Sequence, residues 1–142
     1  QRLLDVRRVV NLRNPAHSLV KLMNPVAGPA LIVSSYTHPE YAISMADTFA
    51  LVQANALLIR GTEGESVADP RRTPKMQAFV RGQATDLQAY QAGSLTELPE
   101  LPSAIDAAST AAYIGAVLAG SQAIPAPIAH QVAHILQLHR SL

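Results

Sequence analysis

The segment Asn55–Lys75, NALLIRGTEGESVADPRRTPK, decides how the chain is read. It opens on Ala56-Leu57-Leu58-Ile59, an apolar run bounded by polar residues. Such a run fits a strand buried on both faces, although length alone does not separate it from a stretch of helix. The loop Gly61-Thr62-Glu63-Gly64-Glu65 follows, with two glycines that let a ligand approach the backbone. Asp69-Pro70 then marks a turn, and Arg71, Arg72, Lys75 and Arg81 place four cations within eleven residues. In an open α/β sheet, ligands bind beyond the carboxyl ends of the strands. This loop and its cationic hem are therefore the expected site.

Upstream, Leu31-Ile32-Val33 reads as a second buried strand that runs into Ser34-Ser35-Tyr36. Pro39 starts a helix reaching about Ala54, with Tyr41, Met45, Phe49 and Val52 as its apolar stripe. Strand, helix and strand in this order predict a βαβ unit with parallel strands and a right-handed crossover. Both strands then end on one edge, with Ser34–His38 beside Gly61–Glu65. Two short parallel strands make a poor sheet. The remaining strands are expected from sequence outside this chain, which makes it a portion of a larger α/β domain.

Nearer the start, Leu3, Val6 and Val10 share a helical face, and Asn14-Pro15 reads as a cap opening a short helix to about Met23, ended by Asn24-Pro25. Downstream, residues 83–102 read mostly as connection. Ser103 and Asp106 resemble a capping box before an alanine-rich helix to Leu118, with Gly120 as its C-terminal cap. Pro125-Ala126-Pro127 opens a last helix whose inward side is expected to be Ile128, Val132, Ile135 and Leu136.

Totals bound the function. At 142 residues and 49% hydrophobic, the chain is one domain's worth with ample material for a core. A formal charge of +1 provides no broad basic field, so any cationic surface must come from clustering. The absence of cysteine excludes disulfides, thiolate metal sites and cysteine nucleophiles. No apolar run approaches the ~20 residues of a membrane span, and no secretory leader pattern is present. The expectation is a soluble cytoplasmic domain, with Gln1 opening inside a helix as part of a longer protein.

Glu63 and Glu65 are candidate ligands for a Mg²⁺ ion carrying a phosphorylated substrate, or solvated loop acids pairing with Arg71 or Arg72. Arg71, Arg72, Lys75 and Arg81 are candidates for phosphate contacts, in a small molecule or a nucleic acid strand, against a reading as solvated surface. Phe79 is the one ring near them in sequence, so base stacking has thin support. Arg13, His17 and Lys21 recur every four residues and form a basic stripe only if the helix is continuous through Asn14-Pro15. His130 and His134 have the spacing of a metal pair. With no acidic third ligand near, they are expected to face solvent, whereas His139 is expected to face the core.

The segment from Asn11 to Pro25, NLRNPAHSLVKLMNP, resembles the signature G-[IV]-R-T-[IV]-F-N-L-L-G-P-L-x-N-P of anthranilate phosphoribosyltransferases. Arg13 matches the arginine that lines the anthranilate site, and Asn24-Pro25 match the closing pair. The wording LRNPAH, THPEY, RGTEGE, ADPRRTP and PAPIAHQ is similar to the YbiB-type branch of that glycosyltransferase family 3 superfamily. The resemblance implies the distal part of a phosphoribosyltransferase-like α/β domain. A helical N-terminal domain, a homodimer formed through it, and a Gly-rich diphosphate loop would all lie outside this chain. In the family loop H-G-x-x-G-x-D-E an Asp-Glu pair binds Mg²⁺; here Gly61 and Gly64 hold register, but Ser66 and Val67 occupy those positions. The implied parent thus has a degenerate transferase site and binds single-stranded DNA or RNA through Arg71, Arg72, Lys75 and Arg81, with the added Lys21 and His17 at the ligand end. The alternative is a Mg²⁺-dependent phosphoribosyltransferase that uses phosphoribosyl pyrophosphate and an altered acceptor held by Arg13.

Overall fold

A computed structural model describes residues 21–61 and 65–142, together with Asp5 and Val9, both helical. The expected helix from Pro15 lies outside these residues as far as Val20; Lys21 and Leu22 form a turn and Met23 is not helical, and of the stripe Arg13, His17 and Lys21 only Lys21 is described. The fold is α/β. Strand β1 (Ile32–Tyr36), helix α1 (Pro39–Leu51) and strand β2 (Ala56–Arg60) lead into strands β3 (Met76–Val80) and β4 (Gln83–Gln88), then helices α2 (Ala107–Leu118) and α3 (Ala126–His139).

The four strands form one sheet in the order β1-β2-β3-β4. β1 and β2 pair in parallel from Ile32↔Ala56 to Tyr36↔Arg60, as the βαβ reading requires. β3 runs antiparallel to β2, and β4 antiparallel to β3. The sheet is therefore mixed; β3 falls in a stretch given no element from sequence, and β4 in residues read as connection. Two strands beyond the parallel pair, expected from sequence outside this chain, are thus supplied by its own hairpin.

The run Ala56–Ile59 is apolar throughout because it is covered twice. Leu57 and Ile59 join Ala68, Met76, Ala78 and Leu138 in one cluster, backed by Ile128 and Ile135 of α3. Ala56 and Leu58 point the other way, into a cluster with Met45 and Phe49 of α1 and Phe79 of β3. Alternation along β2 thus feeds two cores on opposite faces of the sheet. Phe49 and Phe79 pack with ring centroids 5.2 Å apart, so Phe79 is core and offers no surface for a base.

Local chemistry sets the ends of the elements. α1 stops at Leu51 because Gln53 turns into the left-handed region at φ 52°, and the Gln53 and Ala54 N–H groups donate to Ala50 and Phe49 carbonyls. This is a Schellman closure with glutamine where glycine is usual. It leaves Val52 outside the helix and 60% exposed, against its expected place in the apolar stripe. At α2 the cap is Asp106, whose carboxylate accepts from the Ser109 N–H at 2.8 Å and the Ser109 hydroxyl at 2.8 Å. The expected box starting at Ser103 is displaced by three residues. Gly120, at φ 75°, closes α2, its N–H donating to the Val117 carbonyl while Ser121 N–H donates to Ala116. No residue of α2 is buried, and Leu118 is 83% exposed.

The inward face of α3 is Pro127, Gln131 and Leu138, with Ile128, His134 and Ile135 half-buried beside them. Val132 and Leu136 are exposed, so the expected face is rotated by part of a turn. A buried glutamine at its centre explains the misreading, because periodicity counts apolar residues and passes over it.

Candidate functional site

β1 and β2 end together, and the Gly61 N–H donates to the Tyr36 carbonyl at 2.9 Å. Gly61 is buried there. A Cβ on it would lie 3.1 Å from the Glu65 carbonyl oxygen and 3.1 Å from the Ser35 Cβ. A side chain here would need both neighbours to give by a few tenths of an ångström, so the restriction is one of space rather than of dihedral. The same contact shows that the Gly61–Glu65 loop returns almost to its starting point.

The returning limb of the loop, residues 66–68, is fixed from α3. The Gln131 carboxamide is 5% exposed; its Nε2 donates to the Ser66 carbonyl at 2.7 Å and its Oε1 accepts from the Ala68 N–H at 2.8 Å. Asp69 comes next and is also buried. Its Oδ1 accepts from the Arg71 N–H at 2.9 Å and from Arg71 Nε at 3.2 Å, while Arg72 Nε lies 3.9 Å from Oδ2. Burial alone raises the Asp69 carboxyl, but the Arg71 backbone and side-chain hydrogen bonds and both guanidinium charges outweigh it and hold the group below its ordinary value. Arg71 and Arg72 therefore pair with Asp69, and their side chains remain 59% and 58% exposed.

The strand pairing brings one further wall. After β4 the chain runs back beside residues 71–75: Gln91 N–H donates to the Thr73 carbonyl, Leu95 N–H to Arg71, and Gln88 Nε2 to Pro74. This return sets Tyr90 next to Arg60, whose guanidinium carbon is 5.1 Å from the ring centroid. The result is a cleft of about 240 Å³ beyond the carboxyl ends of β1 and β2. Arg60 and Arg72 supply cations to its lining, Thr37 and Thr73 hydroxyls, Asp69 a carboxylate, Tyr90 a ring, and Gly61 and Pro74 close it.

The candidates from sequence divide across this geometry. Arg72 lines the cleft, and Arg71 stands beside it on Asp69. Lys75 is at the same edge, where its carbonyl accepts from the Arg60 N–H, but its ammonium is 3.4 Å from the Asp86 carboxylate of β4. Arg81 is separated from all three. It forms the β3–β4 turn with Gly82, at φ 48° and 78°, and its N–H donates to Asn55 Oδ1 at the start of β2. It therefore belongs to the opposite edge of the sheet. Lys21 lies in a turn beside β1, with its carbonyl accepting from the Ser34 hydroxyl at 3.3 Å. Arg13, His17 and Glu63 are outside the described residues. Glu65 is exposed, and among the described residues no group of three or more histidine or carboxylate side chains converges on a point as a metal site would.

Arg60 and Tyr90 were not singled out by sequence reasoning. Arg60 was within reach, as the last strand residue before the glycine loop; Tyr90 depends on a hairpin that the sequence pattern conceals. Of the histidines, His134 is half-buried rather than solvent-facing, and burial first, then the neighbouring His130 charge, lowers its pKa. His139 is exposed rather than core-facing. No helix among the described residues is long and apolar enough to cross a membrane.

No family model matches the chain. The chain is similar to the uncharacterized protein YbiB of Escherichia coli strain K12, at 41% identity over 131 residues, 92% of this chain. It spans 40% of the length of that curated relative.

Proposed function

We propose that the chain is the distal part of a glycosyltransferase-family-3-like α/β domain of YbiB type, and that the intact protein is cytoplasmic and binds single-stranded nucleic acid at this cleft. The observation that carries the reading is the convergence of Arg60 and Arg72 on a cleft that also holds the Tyr90 ring. Guanidinium groups take phosphate oxygens in fork geometry, and an aromatic ring beside them offers a stacking platform for an unpaired base. The similarity to YbiB supports the branch. Arg71 and Lys75 extend the cationic edge past the cleft.

The test is binding of oligothymidylate by the intact protein, titrated against salt, with and without Mg²⁺ and phosphoribosyl pyrophosphate. Log affinity is expected to fall with log salt at about 0.7 per phosphate neutralised, without dependence on the small molecule. Replacing Arg71, Arg72 and Lys75 together with alanine should weaken binding and flatten that slope; unchanged binding refutes the assignment.

The second reading, a phosphoribosyltransferase with an altered acceptor, is favoured by one feature, the position of the cleft beyond the ends of a parallel strand pair. Its Mg²⁺ lacks a donor set among the described residues: Asp69 is committed to Arg71 and Arg72, which leaves Glu65. Mg²⁺-dependent uptake of phosphoribosyl pyrophosphate, with weak DNA binding, would establish it instead.

A further inference from the structure

Ala68 packs its methyl against β2 and β3, but the side-chain hydrogen bonds that hold the backbone of residues 66–68 come from a helix sixty-odd residues later in the chain. We propose that Gln131 is a positioning residue for ligand binding: its carboxamide sets the backbone of residues 66–68 and thereby the Asp69 carboxylate that aims Arg71 and Arg72. The proposal rests on the nucleic-acid reading for its ligand, but not for its geometry.

Three observations carry it. The carboxamide is used at both ends, donating to one backbone carbonyl and accepting from one backbone N–H two residues on. It is 5% exposed, so water cannot replace either bond without opening the helix–loop contact. The segment it holds leads directly into Asp69, which orders Arg71 through one backbone and one side-chain bond and lies 3.9 Å from Arg72. A glutamine chosen only to fill the space between α3 and the sheet has no need of this pairing. Leucine or methionine would fill it but would leave the Ser66 carbonyl and the Ala68 N–H without their partner.

The pairing predicts a pH profile that packing cannot produce. In Gln131→Glu, the neutral acid keeps both bonds, its O–H donating to the Ser66 carbonyl and its carbonyl accepting from the Ala68 N–H. The carboxylate keeps the second bond and sets an anion against the Ser66 carbonyl. Burial raises the pKa of such an acid. The variant is therefore functional in mild acid and impaired in base. Gln131→Met retains the volume and loses both bonds at every pH. The ionisable side chains His130, His134, Glu65 and Asp69 are common to wild type and both variants, so the wild-type profile run in parallel removes their contribution.

The experiment measures oligothymidylate affinity and hydrogen exchange of the Ala68 amide in the intact protein, from pH 5 to 8, for wild type, Gln131→Glu and Gln131→Met. We expect the Glu variant to bind about tenfold more weakly than wild type at pH 8 and to recover at pH 5, the loss of one charge-facing buried bond. The Met variant should be weakened without recovery. In both variants Ala68 exchange should accelerate while the amides of β2 stay protected. Wild-type-like affinity for both variants across the range overturns the proposal. Should wild type itself fail to bind the oligonucleotide, the nucleic-acid reading falls, and exchange at Ala68 still decides the clasp: faster in Gln131→Met supports it, unchanged overturns it.

Discussion

Arg60 and Arg81 offer the sharpest contrast between sequence neighbourhood and spatial position. Arg81 sits level with Asn55, and Arg60 ends the same strand. Five residue steps at about 3.3 Å each separate the two levels by about 17 Å. A unit charge at that range is worth about 0.2 kcal/mol in water, and screening across two Debye lengths at physiological salt leaves a few hundredths. Arg81→Ala should therefore leave oligonucleotide affinity within measurement error. Arg60 stands at the cleft itself, where a charge-assisted hydrogen bond to phosphate is worth about 1.5–3 kcal/mol. Its exposed position sets the lower end, so Arg60→Ala should cost about tenfold in affinity. It should also reduce the salt slope by about 0.7. The assay is fluorescence anisotropy of a labelled oligothymidylate at several salt concentrations. Equal losses for the two variants would mean that the ligand reaches both edges of the sheet and that the cleft is not the binding centre.

Three further outcomes follow from the packing and the charges. Gly82→Ala forces a Cβ to within 2.8 Å of the Ala50 carbonyl oxygen at φ 78°; the left-handed conformation alone costs about 1 kcal/mol, so the melting temperature should fall by at least about 3 °C. Phe79→Ala empties one side of a fully buried ring pair and should lower stability by about 3–5 kcal/mol in denaturant unfolding. Because the Asp69 carboxyl is held below its ordinary 3.8, its contribution is complete above that pH and is lost as pH falls through the depressed value. Asp69→Asn should thus be less stable than wild type at neutral pH, with the difference vanishing in strong acid; a difference that grows on acidification contradicts the pairing.

The βαβ half was legible because each of its elements carries its own signal. Ala56–Ile59 is apolar on both faces, and Pro39 starts the intervening helix. The hairpin was not legible, for two physical reasons. Its turn uses Arg81 in a left-handed conformation where Asn or Asp usually stands, and β4, QATDLQ, has no buried residue to reveal alternation. Missing the hairpin had a consequence for the site. Without the reversal at Gly82, Arg81 looked like a neighbour of Arg71, Arg72 and Lys75, and Tyr90 looked remote from Arg60. Acids and cations were also easier to find than their pairings: Asp69 was read as a turn residue, and Glu63 or Glu65 as the partner of the arginines, because partnership depends on a loop course that spacing does not encode.

The polarity that hid β4 from the sequence reading also guards the sheet. Among the described residues β4 is an outer strand, and such a strand presents unpaired backbone groups to any other chain able to add alongside it. Here four of its six residues are exposed and Asp86 stands among them, paired to Lys75 and accepting from Gln77. A further strand docking on this margin would have to strip water from that ion pair and from the flanking glutamines. The margin thus gives up easy recognition as a strand and gains resistance to fibrillar stacking.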